Sequence, residues 1–228
     1  MFIVDIIILL FLGLGFLIGF RRGFTRELVS LVGIIVVTIL SFILKNPISV
    51  FFYKNLPFFK FDYLVKGASV LNILLYETIA FLIVFSILLI ILKIIMKATS
   101  LFEKFLTMTI ILSIPSKILG GIIGVVKHYI LIFLVLFIIS LPVFSLDIGK
   151  TNIGDFILND TIILSDIEDD TLKIYTEFSD LIDKYKDKNN NKEFNQEALD
   201  LLIKYKAITK ENAKDLIKSG KLKNVSVK

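Results

Sequence analysis

From Phe2 to Phe20 the chain runs for 19 residues with a single charge, Asp5, and three later stretches, Glu27–Leu44, Val70–Leu92 and Ile118–Leu141, are almost as apolar. An α-helix needs ~20 residues, at a rise of ~1.5 Å each, to cross the ~30 Å hydrocarbon of a bilayer. Strands cross only as closed barrels of ~10-residue alternating segments, and these runs do not alternate. The expected fold is therefore an all-α integral membrane protein with four transmembrane helices. Composition agrees, since 56% of the 228 residues are hydrophobic against roughly 45–50% in a soluble domain. The first run does not read as a cleavable leader, because its positive charges follow the apolar stretch and no A-x-A site appears.

The charges divide the chain near Leu146. Residues 1–146 carry 12 basic and 5 acidic side chains, and residues 147–228 carry 14 and 16, so one part is +7 and the other −2. We expect a membrane domain over 1–146 and a charged helical tail over 147–228. In the tail, Ile174, Phe178, Leu181 and Tyr185 recur at helical spacing, "NNNKEF" is a polar break, and a second helix is expected with Asn195 as its cap and Phe194 packed on Leu199. A third has Thr209 as cap and Gly220 as stop. Three short helices bury little by themselves. The tail is either a small appendage or a set of segments ordered against a partner or membrane, and the acidic stretch "DIEDD" (Asp166–Asp170) reads as a solvated linker.

Orientation follows from Lys and Arg near the helix ends. Arg21, Arg22 and Arg26 in the first connection share a side with Lys93, Lys97, Lys104 and Lys117 in the third. The opposite side receives the N-terminus, a second connection with Lys45, Lys54, Lys60 and Lys66, and a tail that begins with Asp147, Asp155, Asp160 and Asp166. Both termini are thus expected outside the cytoplasm, although four lysines on that side oppose the assignment. The second connection mixes Phe51, Phe52, Tyr53, Phe58, Phe59 and Tyr63 with lysines and two prolines, the composition of an interfacial segment. In the third, Lys93, Lys97 and Lys104 lie opposite Ile94, Ile95, Leu101, Phe102 and Phe105. An interfacial amphipathic helix before the fourth span is expected there, unless the stretch extends the third span.

No catalytic set can be assembled. Without cysteine, disulfides and thiolate metal sites are excluded, and one histidine argues against a His-rich metal centre. Gly13, Gly15 and Gly19 lie inside a span with no preceding strand, so they are not a nucleotide loop. Gly15, Gly19 and Gly23 recur every four residues, and Gly120 with Gly124 repeats the spacing. These are small-xxx-small faces that let helix backbones approach closely. No enzyme activity, cofactor, metal or nucleic-acid partner is expected. The expected partners are the lipid bilayer, including anionic headgroups, and other envelope proteins or further copies of the chain.

All three arginines fall within "RRGFTR", while the other 23 basic residues are lysine. Guanidinium offers a planar fork for phosphate or carboxylate that an ammonium lacks. Arg21, Arg22 and Arg26, with Glu27 adjacent, are therefore a candidate site for a lipid headgroup or a partner carboxylate. The other reading is a positive anchor that only fixes the hairpin. Among polar residues inside the spans, Asp5, Glu77, Lys127 and His128 stand out. Counted inward from Ser69 and Lys117, Glu77 and Lys127 fall ~12 and ~15 Å deep, so the two could pair; alternatively the fourth span starts near His128 and Lys127 snorkels inward.

The acidic residue Asp5, the hairpin "RGFTRELVSL" (Arg22–Leu31) and the later "ILGGIIGVVK" (Ile118–Lys127) resemble the colicin V production (CvpA) proteins of bacteria, over about residues 2–145. In that family the late motif is usually preceded by Asp-Arg and followed by Gly, where this chain has Ser116, Lys117 and His128. The resemblance implies a four-helix protein of the bacterial inner membrane, linked to colicin V production or export and to envelope homeostasis, with no established molecular activity. A membrane adaptor or scaffold, a small oligomeric channel or transporter, and an unrecognised membrane enzyme are the hypotheses that remain, with the adaptor first.

Overall fold

The structure, a computed structural model, describes residues 2–106, 113–141, 168–188 and 190–227. Among these there are no strands and seven helices: α1 (Phe2–Arg22), α2 (Phe24–Asn55), α3 (Leu71–Leu106), α4 (Ser113–Ser140), α5 (Glu168–Tyr185), α6 (Asn191–Lys204) and α7 (Lys210–Lys218). The first four contain stretches long and apolar enough to cross a membrane: Ile3–Arg22, Phe24–Asn55, Leu71–Lys97 and Ile114–Ile139.

Two of the four are longer than expected. α2 does not end at Leu44 but continues through Pro47 to Asn55, so much of the second connection is helix. A proline inside a helix removes one backbone hydrogen bond and crowds the preceding turn; side-chain packing around the added turns offsets that cost. α3 runs unbroken to Leu106, so residues 93–106 continue the third helix and are not a separate one. Residues 107–112 lie outside the described ones. So do Asp147, Asp155, Asp160 and Asp166, while Glu168, Asp169 and Asp170 open α5.

The described residues fall into two compact units. One draws on Met1–Leu44 and Leu82–Ile138. Many of its apolar side chains are exposed, among them Leu10, Val29, Ile43, Ile87 and Ile90. Lipid tails are as apolar as leucine, so a helix gains nothing by hiding such faces, and association rests on close packing and polar contacts. Ile8, Ile132 and Leu136 form a small cluster between α1 and α4, and Gly33 on α2 leaves room for the Leu92 side chain of α3.

The other unit draws on Lys45–Phe81 and Thr161–Lys228, and it has a water-type core. Phe178, Leu181 and Tyr185 of α5, Phe194, Leu199 and Leu202 of α6, and Leu216 of α7 are buried with Phe61, Val65, Val70, Leu71, Ile73 and Tyr76. The division near Leu146 is thus one of composition. In packing, the tail joins the second connection and the first turns of α3, which supply the apolar surface that three short helices lack. Asn195 does not cap α6; Asn190 does, accepting from the Glu193 N–H. Asn195 is buried instead, accepting from Val70 N at 3.2 Å and donating to the Gly67 carbonyl at 2.9 Å. Thr209 caps α7 through Asn212 N, and Gly220 follows it at φ +73°, a left-handed conformation that glycine adopts without strain. Lys221 donates to the carbonyls of Tyr53 and Leu56, each at 2.9 Å, closing the C-terminal end of α2, and burial holds its ammonium below the ordinary lysine pKa.

Leu199 is fully buried at the centre of this shared core. Leu199→Ala is expected to destabilise the second unit by about 2–5 kcal/mol, read as a lower midpoint in thermal unfolding of the detergent-solubilised protein. An unchanged midpoint would mean that the tail does not pack on the connection.

Candidate functional site

The arginine hairpin is built around one glycine. Gly23 stands between α1 and α2 at φ +82°, a conformation costly for any residue with a Cβ. It still accepts a hydrogen bond from Glu27 N at 3.2 Å, and its own N–H reaches the Gly19 carbonyl at 2.9 Å. The first free N–H of α2, on Phe24, donates to Ser116 Oγ at 3.2 Å, so α4 caps the turn. Arg21, Arg22 and Arg26 are exposed and Glu27 is completely buried.

That burial separates Glu27 from the surface group in which the sequence places it. Its register explains the difference: Glu27, Ser30, Ile34, Val37 and Ser41, spaced three or four apart, form the buried stripe of α2, whereas Arg26 is turned a third of the way round the helix. Within the stripe Ser41 satisfies its hydroxyl on the Val37 carbonyl at 2.6 Å. Glu27 Oε1 accepts a hydrogen bond from the Lys127 ammonium, also buried, on α4. Oε2 lies 3.7 Å from Arg22 Nη1, too long for a hydrogen bond, and accepts none among the described residues. One carboxylate is thus held between an inner lysine and an outer arginine, leaving the three groups with a formal charge of +1. The carboxylate facing Arg22 belongs to the chain itself.

Glycines bring α1 and α4 together beside this cluster. A Cβ added at Gly19 would stand 2.1 Å from the Gly120 carbonyl oxygen, and one at Gly124 would stand 2.1 Å from that of Gly15. At Gly120 it would meet the backbone of Gly19 and Gly23. All five glycines of the two spaced faces therefore lie at one crossing. His128 fills the space next to Gly15, and its Nδ1 pairs with the Gly124 carbonyl at 2.8 Å within its own helix. Asp5 is half-buried in the first turn of α1, where a carboxylate complements the helix dipole. Gly13, on the same helix as Gly15, faces open space.

Glu77 does not take Lys127 as its partner. Its carboxylate bonds to the Lys45 ammonium and to Ser49 Oγ, the latter at 2.6 Å. Lys45 and Ser49 are one turn apart on α2; ending the second helix at Leu44 hides their shared face. Ser116, Asn72 and Asn195 carry no motif, and nothing in their local sequence marks the partners they find.

Two outcomes are expected. Gly19→Ala or Gly124→Ala forces α1 away from α4 and lowers the detergent melting midpoint, an overpacking cost of about 1–3 kcal/mol or more, while Gly13→Ala leaves the midpoint unchanged or higher. For the ion pair, Glu27→Gln or Lys127→Met alone should cost about 3–5 kcal/mol, because each strands a buried charge. The double variant should recover most of the loss in membrane accumulation; a double variant as poor as the worse single one would sink the pair.

Residues 4–148, almost the whole of the four apolar helices, match the family described as Colicin V production protein. No curated protein matches the chain, and no solved structure does.

Proposed function

The chain belongs to the colicin V production protein family and is a multi-pass membrane protein; from that premise we propose that it is a non-catalytic adaptor of the bacterial inner membrane, holding envelope or secretion partners through its second unit. The observation that carries this reading is the folding of residues 168–227 onto the second connection. A tail that spends its apolar face on its own chain leaves a rigid, charged surface outward, the form a docking platform takes. Glu177 with Lys204, and Glu197 with Lys184, pair across the α5–α6 face at 2.8 Å, and the Lys184 hydrogen bond holds the Glu197 carboxyl below its ordinary pKa. Arg21 and Arg26 at the hairpin suit headgroup phosphates.

Packing of the tail on the second connection also bears on topology. The two must share a side of the membrane, so the chain between them crosses an even number of times, as it does if α3 and α4 each span once. With the hairpin arginines inside, both termini and the second unit lie outside the cytoplasm.

A small oligomeric channel is the second reading, favoured by the buried Glu27–Lys127 ion pair; charges inside spans often mark ion paths. The deciding experiment has two arms. Crosslinking of the native protein followed by mass spectrometry should recover envelope proteins attached through residues 177–227, and purified protein in liposomes should give no conductance. Conductance without such crosslinks overturns the adaptor. A reporter active only in the cytoplasm, fused after Lys228, should be silent; activity there overturns the orientation alone.

A further inference from the structure

We propose that Phe51 and Phe59 seat the second unit in the headgroup layer of the bilayer that α2 and α3 cross. This inference goes beyond the adaptor reading and rests on the spanning of α2 and α3.

The level of the membrane surface can be set from the charges on the helices. From Arg26 to Lys45 is 19 residues of α2, and from Glu77 to Lys97 is 20 residues of α3. At ~1.5 Å per residue these are ~28 and ~30 Å, each matching the hydrocarbon thickness. Lys45 and Glu77 are bonded to each other, so one surface passes through that pair. The headgroup layer above it is ~5–8 Å deep on each side.

Two exposed aromatic rings stand at that depth. Phe51 is six residues beyond Lys45, ~9 Å along α2, with a ring that can lean back toward the hydrocarbon. Phe59 belongs to the connection, yet it is pinned low. Asn72, fully buried and five residues before Glu77, or ~7.5 Å along α3, accepts from Phe59 N at 2.7 Å and donates to the Phe59 carbonyl at 3.0 Å. The Phe59 ring centroid is 6.4 Å from that of Tyr76, and the Tyr76 hydroxyl donates to the Pro57 carbonyl. The chain therefore descends from the end of α2 to the level of the first α3 turns and is held there.

What the rings face decides the occupant. Tyr53, Phe61, Leu64 and Val65, from the same stretch, are buried against the tail helices, whereas Phe51 and Phe59 remain 60% and 55% exposed. Tyr63, further along the connection, is exposed as well, but Phe51 and Phe59 are the outward rings that this count places at headgroup depth, where aromatic side chains are preferred. Lys60, exposed beside Phe59, suits the lipid phosphates. The same bilayer reaches these rings through chain continuity at both ends of the connection.

The chain contains no tryptophan, so a single introduced one reports its own surroundings. Phe51→Trp and Phe59→Trp are to be made separately in the full chain and reconstituted in phosphatidylcholine–phosphatidylglycerol vesicles. Ile87→Trp, at an exposed mid-α3 position, is the control for spanning, and Lys223→Trp, exposed near the C-terminus, is the control for water. Residues 51 and 59 should lose emission to lipids brominated high on the acyl chain and keep it in aqueous iodide. Quenching of both by iodide, or by neither agent, overturns the proposal when Ile87→Trp is quenched by brominated lipid. If Ile87→Trp is not quenched by lipid, the spanning reading itself falls, and the seating with it.

Discussion

A hydrocarbon slab is ~30 Å thick, and two helices of this protein are much longer: α2 with 32 residues and α3 with 36 reach ~48 and ~54 Å. The surplus cannot stay in lipid, and it cannot stand bare in water either, because the first turns of α3 are made of leucine, isoleucine and tyrosine. The second unit is the physical answer. Its three short helices bury Leu71, Ile73, Leu74 and Tyr76 together with Tyr53 from α2, so the apolar surface at these ends of the two long helices becomes part of a folded core. Lys45 of α2 and Glu77 of α3 bond to each other, so each charge carries its own partner on these long helices.

The same constraint explains what could be read from the sequence. The four apolar runs, the glycine repeats and the caps Thr209 and Gly220 are local signals, set by residue type and spacing, and they needed no tertiary information. The partners of Glu77, Lys127 and Asn195 are tertiary. Depth counted from Ser69 placed Glu77 well inside the membrane because the count assumed that lipid begins at the start of the apolar run. In the structure that run begins under the tail, so the apolar character of Val70–Tyr76 is paid for by protein. α2 passes Leu44 for a related reason, since the apolar run marks only the part of the helix that lipid could cover, and the turns through Pro47 to Asn55 pack within the second unit. Glu27 was assigned to the surface by adjacency to Arg26, although neighbours along a helix point about 100° apart.

Within the first unit, the cluster of Arg22, Glu27 and Lys127 and the glycine crossing depend on each other. Without the close approach of α1 and α4, Ser116 could not reach the Phe24 N–H, and the hairpin would lose the bond that α4 supplies. Without the hairpin geometry set by Gly23, Glu27 would not begin the inward stripe of α2. An ammonium from α4 then neutralises a carboxylate that has no water to solvate it, the condition under which a buried charge is tolerated. Concentration of all three arginines here fits a site where one of them, Arg22, must approach a buried carboxylate while its neighbours face outward.

The glycine crossing also constrains assembly. Small-xxx-small faces are commonly read as dimerisation surfaces, and from sequence alone Gly15, Gly19 and Gly23 could serve a second copy as well as a helix of the same chain. Here their carbonyls and α-carbons already touch those of Gly120 and Gly124, and a backbone can be approached that closely by only one partner. A second copy cannot use that face while α4 occupies it. A pore lined by the Gly15–Gly23 face would first have to pull α1 from α4, breaking the arrangement that keeps Glu27 and Lys127 paired.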